Sequence, residues 1–124
     1  MPRILIADDD SSVRSSIRRL LVEAGYQVEE ARDGVETLEI CRADPPDLVL
    51  LDVYMPNLDG VQTFINITAE HLGARVIAIS GGGVFKKDDA LAIMRDLGAE
   101  GVLEKPIERE ELLKAVEEVL QIPQ

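Results

Sequence analysis

The chain has 124 residues, enough for one domain with a real hydrophobic core, and its 46% hydrophobic and 30% charged content is that of a folded chain rather than a disordered one. A net charge of −11 and only 3% aromatic residues argue against a basic, base-stacking nucleic-acid surface. No apolar run reaches the ~20 residues of a membrane span.

Arg3 to Ala7 (RILIA) predicts a first buried strand, which stops at Asp8-Asp9-Asp10. Asp10 or Ser11 can cap the following helix, where anions suit the N-terminus. Capping accounts for one of these acids comfortably and for all three poorly, so a cation is expected nearby. Val13, Ile17, Leu20, Leu21 and Ala24 form the apolar stripe of that helix, with Arg14, Arg18 and Arg19 toward solvent and Gly25 as its stop. Tyr26 to Ala31 alternates as a half-exposed edge strand. Asp33-Gly34 turns into a second helix with Val35, Leu38 and Cys41 inward.

Pro45-Pro46-Asp47 ends that helix and introduces Leu48-Val49-Leu50-Leu51, an unbroken aliphatic run closed by Asp52. Such a run suits a strand covered on both faces, as in a parallel sheet. A carboxylate inside that core would be very costly, so Asp52 belongs at the strand's exit, where open parallel sheets gather their chemistry. Asp59-Gly60 begins a third helix with Val61, Phe64, Ile65 and Thr68 as its inner spacing. His71, the one histidine, lies near that helix's end, where a cation suits the dipole; a metal site would need further ligands of its kind.

Arg75 to Ser80 (RVIAIS) predicts a fourth strand ending on a hydroxyl, followed by Gly81-Gly82-Gly83. These glycines suggest mobility or close approach of a ligand, but they match no phosphate-binding fingerprint, since no Lys-Ser/Thr follows and no G-x-G-x-x-G is present. Asp88 opens a fourth helix with Ala90, Ile93, Met94 and Leu97 inward, closed by Gly98. Gly101 to Glu104 is a short fifth strand that delivers Lys105-Pro106. Glu108 to Leu120 is the last helix, with Leu112, Ala115, Val116 and Val119 on one face, and residues 121–124 are a tail.

Strands and helices alternate throughout, which predicts a parallel sheet covered on both sides. Four strand exits then share one edge and carry Asp8/Asp9, Asp52, Ser80 and Lys105. Facing carboxylates attract a divalent cation, and oxygen-only ligands favour Mg²⁺. A carboxylate such as Asp52 can attack phosphorus, with charge on the transferring group offset by the metal and Lys105. The bland reading of Lys105 is a structural ion pair with a nearby Asp, and both roles can hold. Cys41 reads as a small core residue rather than a reactive thiol; it cannot form an intramolecular disulfide. With no signal-peptide pattern at Met1 to Ile6, a cytoplasmic setting is expected.

These residues resemble the receiver domains of two-component response regulators over nearly the whole chain. The resemblance rests on Ile4 to Asp10, on Pro46 to Pro56 with Asp59-Gly60, on Ser80, and on Lys105-Pro106. It implies a flavodoxin-like (βα)5 three-layer sandwich with a five-stranded sheet of order 2-1-3-4-5, in which the site lies where the strand order reverses. It implies that Asp52 takes a phosphoryl group from the phosphohistidine of a histidine kinase or phosphotransfer protein. Asp9, Asp52 and the Tyr54 backbone carbonyl would ligate Mg²⁺, Asp8 would act through water, Ser80 would be the switch hydroxyl and Lys105 the phosphate-binding lysine. A downstream target protein would dock on about residues 88–120, with neither nucleic acid nor membrane bound directly. Phe85 is either an exposed anchor there or an ordinary loop-packing residue.

Two positions depart from the common pattern. Three residues before the lysine, where many receivers carry Tyr or Phe, stands Val102. Without that aromatic relay, the signal is expected to travel by movement of the glycine loop. Tyr54 lies two residues past the acceptor and Gly82 two past the hydroxyl, positions that govern how easily water reaches the phosphorus; a bulky Tyr54 is expected to shield it. The leading expectation is therefore a single receiver domain over residues 1–124, stand-alone or cut from a longer protein, and not a turnover enzyme. The alternatives are a Mg²⁺-dependent phosphatase or phosphotransferase with an aspartyl nucleophile, disfavoured because Tyr54 stands where such enzymes carry a second Asp, and a receiver-like docking module that is never phosphorylated.

Overall fold

Aliphatic runs punctuated by polar residues become strands in this chain, and each strand is separated from the next by a helix. The structure, a computed structural model, describes residues 2–81 and 87–121. The elements are β1 (Arg3–Ala7), α1 (Ser11–Glu23), β2 (Gln27–Ala31), α2 (Gly34–Ala43), β3 (Leu48–Asp52), α3 (Gly60–Ala69), β4 (Arg75–Ser80), α4 (Lys87–Asp96), β5 (Gly101–Glu104) and α5 (Arg109–Leu120). All strand pairs are parallel and the order is β2-β1-β3-β4-β5, the flavodoxin-like sheet expected. Expectations that fall on Gly82, Gly83, Phe85 and the tail past Gln121 lie outside the described residues.

The two-residue repeat of the strands sorts their side chains into two cores. Ile4 and Ile6, Leu48 and Leu50, and Ile77 and Ile79 pack under α1 and α5 with Ile17, Leu21, Leu112 and Val116. Leu5, Val49, Leu51, Val76 and Ala78 pack under the other helices with Leu38, Cys41, Phe64, Ile67 and Met94. Every residue of β3 is buried, as befits the central strand of a doubly covered sheet. β2 is an edge, its pattern running from exposed to buried.

The inner faces of α2 and α3 differ from the apolar spacing. Val35, Ile65 and Ile93, expected inward, are exposed, as is Thr68. Instead Gly34, Thr37, Leu38 and Cys41 are buried in α2, and Gly60, Thr63, Phe64 and Ile67 in α3. The buried threonines are satisfied locally. Thr37 Oγ1 donates to the Asp33 carbonyl at 2.8 Å and Thr63 Oγ1 to the Asp59 carbonyl at 2.7 Å. The two helices therefore open with one repeated phrase, Asp33-Gly34-Val35-Glu36-Thr37-Leu38 and Asp59-Gly60-Val61-Gln62-Thr63-Phe64. In each the Asp caps, accepting from the backbone N–H of Glu36 or Gln62 at 2.8 Å.

The glycines of this phrase are needed for close approach. A Cβ on Gly60 would stand 2.1 Å from the carbonyl oxygen of Asp52, and one on Gly34 2.3 Å from that of Leu58. Gly60 N–H donates to Val53 O at 2.9 Å, which ties the start of α3 to the end of β3. The intervening loop is clasped to α2: Gly34 N–H donates to Leu58 O at 3.2 Å, and Asn57 Nδ2, from a left-handed backbone with φ of 68°, donates to Asp33 Oδ2 at 2.7 Å.

Replacing Gly60 with Ala forces a methyl group into the Asp52 carbonyl. Gly60→Ala is expected to lose about 1–3 kcal/mol of unfolding free energy, read by urea denaturation; an unchanged midpoint would mean that this contact is not tight.

Candidate functional site

The sheet's register brings the predicted residues to one edge. Ala7 lies across from Leu51, Asp52 across from Ile79, and Ser80 across from Glu104, so Asp8, Asp52, Ser80 and Lys105 each end a strand or follow one directly. Lys105 N–H continues the ladder, donating to Ser80 O at 2.8 Å.

Asp8 has no exposed surface and Asp52 is 3% exposed, whereas Asp9 is exposed. The Lys105 ammonium lies between the two buried carboxylates, 2.8 Å from Asp8 Oδ2 and 3.3 Å from Asp52 Oδ2. The second oxygens are held by backbone. Asp8 Oδ1 accepts from Asp10 N–H at 2.9 Å, and Asp52 Oδ1 accepts from Tyr54 N–H at 3.1 Å. Asp10, as expected, serves as helix cap, accepting from the N–H groups of Ser12 and Val13.

The charges do not balance. Carboxylate oxygens of Asp8, Asp9 and Asp52 lie within 4.8 Å of one another, against one ammonium, which leaves an excess of two negative charges. Asp8 Oδ2 is fully buried and faces the Lys105 ammonium at 2.8 Å, a cation it must share with Asp52. Three acids sharing one cation leave room for a further one. An all-oxygen donor set with a divalent charge deficit fits Mg²⁺.

The same crowding shifts the protons. Burial, reinforced by the Asp8 charge, pushes the Asp52 carboxyl up to about 6 against the opposing pull of Lys105. Burial alone would lower the Lys105 ammonium, but Asp8 and Asp52 outweigh it and hold the group above its ordinary value. The lysine therefore stays charged at neutral pH, and Asp52 is an ionised carboxylate of raised basicity.

Ser80 is fully buried, and among the described residues its hydroxyl reaches only the Gly81 carbonyl, at 3.5 Å, so it is not joined to Asp52 or Lys105 here. Tyr54 is 48% exposed beside the acceptor, anchored through the N–H that Asp52 accepts. Sequence reasoning missed Arg14. Expected on the wet side, its side chain is only 12% exposed, because Nη1 donates to the Asp8 carbonyl at 2.7 Å and Nε to Glu30 Oε1 at 3.0 Å. Glu30, on a half-buried edge strand, needs a cationic partner, and that requirement was the available signal. Cys41 is buried with its thiol pushed up to about 11, mainly by burial, as expected of a core residue. Among the described residues no helix is long and apolar enough to cross a membrane.

Comparison with known proteins agrees with this geometry. Residues 4–117 match the response regulator receiver domain family. The chain is 42% identical over 120 residues to the response regulator MprA of Mycobacterium ulcerans (strain Agy99), and 41% identical over 120 residues to that of Mycobacterium avium (strain 104). Each match covers 95% of this chain and 50% of the relative, so the chain spans about half the length of the curated relatives it matches. A CheY-like response regulator receiver domain protein from Methanospirillum hungatei JF-1 superposes with a TM-score of 0.87 at 27% identity, covering 97% of this chain and 94% of that one. The receiver domain of NtrX from Brucella abortus gives 0.87 at 29% identity, covering 97% and 99%.

The Asp52 shift has a thermodynamic sign. Its carboxyl holds a proton more tightly in the folded protein, at about 6, than at the ordinary 3.8 of an unfolded chain. Its contribution to stability is therefore full below the lower value and lost as pH rises through the upper one. Without divalent cations, Asp52→Asn is expected to exceed the natural protein in stability at pH 7, on the order of 1–3 kcal/mol, with the gain vanishing below about pH 4. Urea unfolding across that range tests it; a pH-independent difference would contradict the raised value.

Proposed function

The chain belongs to the response regulator receiver domain family, and on that premise we propose that Asp52 accepts a phosphoryl group in a Mg²⁺-dependent reaction and that the phosphorylated domain signals by binding another protein. Receiver domains work with histidine kinases and downstream effectors, and the donor proposed here is the phosphohistidine of such a kinase or of a phosphotransfer protein. The observation that carries this reading is the Lys105 ammonium set between the buried Asp8 and Asp52 carboxylates with Asp9 beside them.

A carboxylate oxygen of Asp52 attacks phosphorus, and an oxygen–phosphorus bond forms as the phosphorus–nitrogen bond to the donor imidazole breaks. The imidazole keeps the electron pair and takes up a proton. Asp52 suits this task because its elevated basicity makes it a better nucleophile while leaving it ionised at neutral pH. Asp8, Asp9, Asp52 and the Tyr54 carbonyl are the groups to hold Mg²⁺, Asp8 through water. When bound, Mg²⁺ neutralises charge on the transferring oxygens. Lys105 turns from the carboxylates toward the new phosphoryl oxygens, and the Ser80 hydroxyl leaves Gly81 to hydrogen-bond them. The phosphoryl group adds roughly two negative charges, and this biases an existing two-state surface.

Proteins can approach from two sides. A mostly apolar groove lined by Val13, Ile17, Leu20, Pro106 and Ile107 opens onto Lys105 and suits an incoming donor helix. The output surface is assigned to about residues 88–120, where Ile93 is exposed. Residues 1–124 act as one receiver unit in the cytoplasm, phosphorylating and dephosphorylating themselves rather than turning over a substrate.

Incubation with acetyl phosphate and Mg²⁺ followed by intact mass measurement tests the chemistry. The natural protein should gain one phosphoryl group and Asp52→Asn none; uptake by Asp52→Asn, or none by the natural protein, would refute the assignment. The exposed Tyr54 ring is assigned to shielding the phosphorus from water. Tyr54→Ala is expected to shorten the phosphoryl lifetime severalfold in a decay assay, and an unchanged or longer lifetime counts against shielding.

A further inference from the structure

The acids at the strand ends must be held where a small cation can meet them, and one arginine outside that cluster is built into their support. Arg14 lies in the second turn of α1, with its guanidinium enclosed between the β1–α1 turn and the edge strand β2. Its Nη1 takes the Asp8 carbonyl at 2.7 Å and its Nε takes Glu30 at 3.0 Å. Asp8 N–H is fixed from the same side, donating to Ala31 O at 3.1 Å. The Asp8 N–H thus leans on β2 directly and its carbonyl leans on β2 through Arg14 and Glu30; that carbonyl belongs to the peptide linking Asp8 to Asp9. Among the described residues no side-chain hydrogen bond or ion pair holds the exposed Asp9, so the peptide that Arg14 holds bears directly on where its carboxylate sits.

We infer that Arg14 is a positioning residue for the metal site, bracing the Asp8–Asp9 peptide so that both carboxylates face the cation, and that Glu30 orients this brace and offsets part of its charge. The inference rests on the Mg²⁺ reading given above. A guanidinium one peptide away from a cation site would by charge alone oppose the cation. Glu30 reduces that opposition and fixes the planar fork, although it also pairs with Arg18 Nη1, at 3.0 Å from its Oε2. A lysine at position 14 cannot serve both acceptors from the fixed angles of a fork.

This assignment separates from its rivals by sign. If Arg14 acts only as a nearby positive charge, removing it should tighten Mg²⁺ binding. If it is only a structural residue, removing it should lower the thermal midpoint and leave Mg²⁺ affinity unchanged. As a brace, its removal should weaken the metal, as loss of a support behind a ligand does, by about tenfold. The test is isothermal titration of Mg²⁺ into the natural protein, Arg14→Ala, Arg14→Lys and Glu30→Gln, with the Mg²⁺ dependence of acetyl phosphate labelling measured alongside. The brace predicts a dissociation constant raised about tenfold in Arg14→Ala, little rescue by Arg14→Lys, and labelling restored at saturating Mg²⁺. Arg14→Lys keeps the charge and loses the fork, so it gives the answer if Arg14→Ala does not fold; Glu30→Gln should weaken Mg²⁺ as well. Natural-like or tighter affinity in the folded variants overturns the inference while leaving the proposed function standing. A natural protein that binds no Mg²⁺ overturns the metal reading itself and this inference with it.

Discussion

Three carboxylates brought together at the mouth of a hydrophobic core cannot stay there uncompensated, and the Lys105 ammonium between Asp8 and Asp52 is what lets them do so. Each buried carboxylate has one oxygen tied to a backbone N–H and one turned toward the lysine, so neither is free to swing out to water. Removing the lysine would leave the acids charged and unpaired, a far larger penalty than the pair's net contribution. The compensation is also incomplete. A fold seeking only stability would have used fewer acids, and the remaining negative charge is the feature that the proposed metal would meet.

Parallel strands make that arrangement possible. The inner strands β1, β3 and β4 share one interior and are aliphatic through their middles, and the first residue free of that demand emerges at the same edge as its neighbours'. Asp8 and Lys105 are far apart in sequence, yet the ladder places both beside Asp52 without long, adaptable loops. The site is thus mounted on rigid elements, with backbone N–H groups and the Arg14–Glu30 pair fixing what the strands alone do not.

The layers and the cluster of Asp8, Asp9, Asp52 and Lys105 were legible because they follow from aliphatic runs and from what stops them, whereas the strand order was legible only through the resemblance to receiver domains. Helix faces were less so. Val35 and Ile65 are apolar and point outward, while Thr37 and Thr63 are polar and point inward. Hydropathy misreads both pairs, because a threonine that returns its hydroxyl to its own helix behaves as a small core residue. Arg14 escaped for a related reason. A charge is assigned to solvent by type, and only the pairing of α1 with β2 reveals its two acceptors. Ser80 was placed at the correct edge, but no sequence rule could say that its hydroxyl would rest on its neighbour's carbonyl.

The clasp between α2 and the loop after β3 gives the domain a mechanical handedness. Asn57 and Leu58 hook onto Asp33 and Gly34, and Gly60 is pressed against the backbone of Asp52, so the flank of β3 leading to α2 and α3 behaves as a hinge plate screwed down at several points. The backbone beneath Asp52 is thus pinned from one flank, and slack at any of these fastenings would be felt directly at the carboxylate.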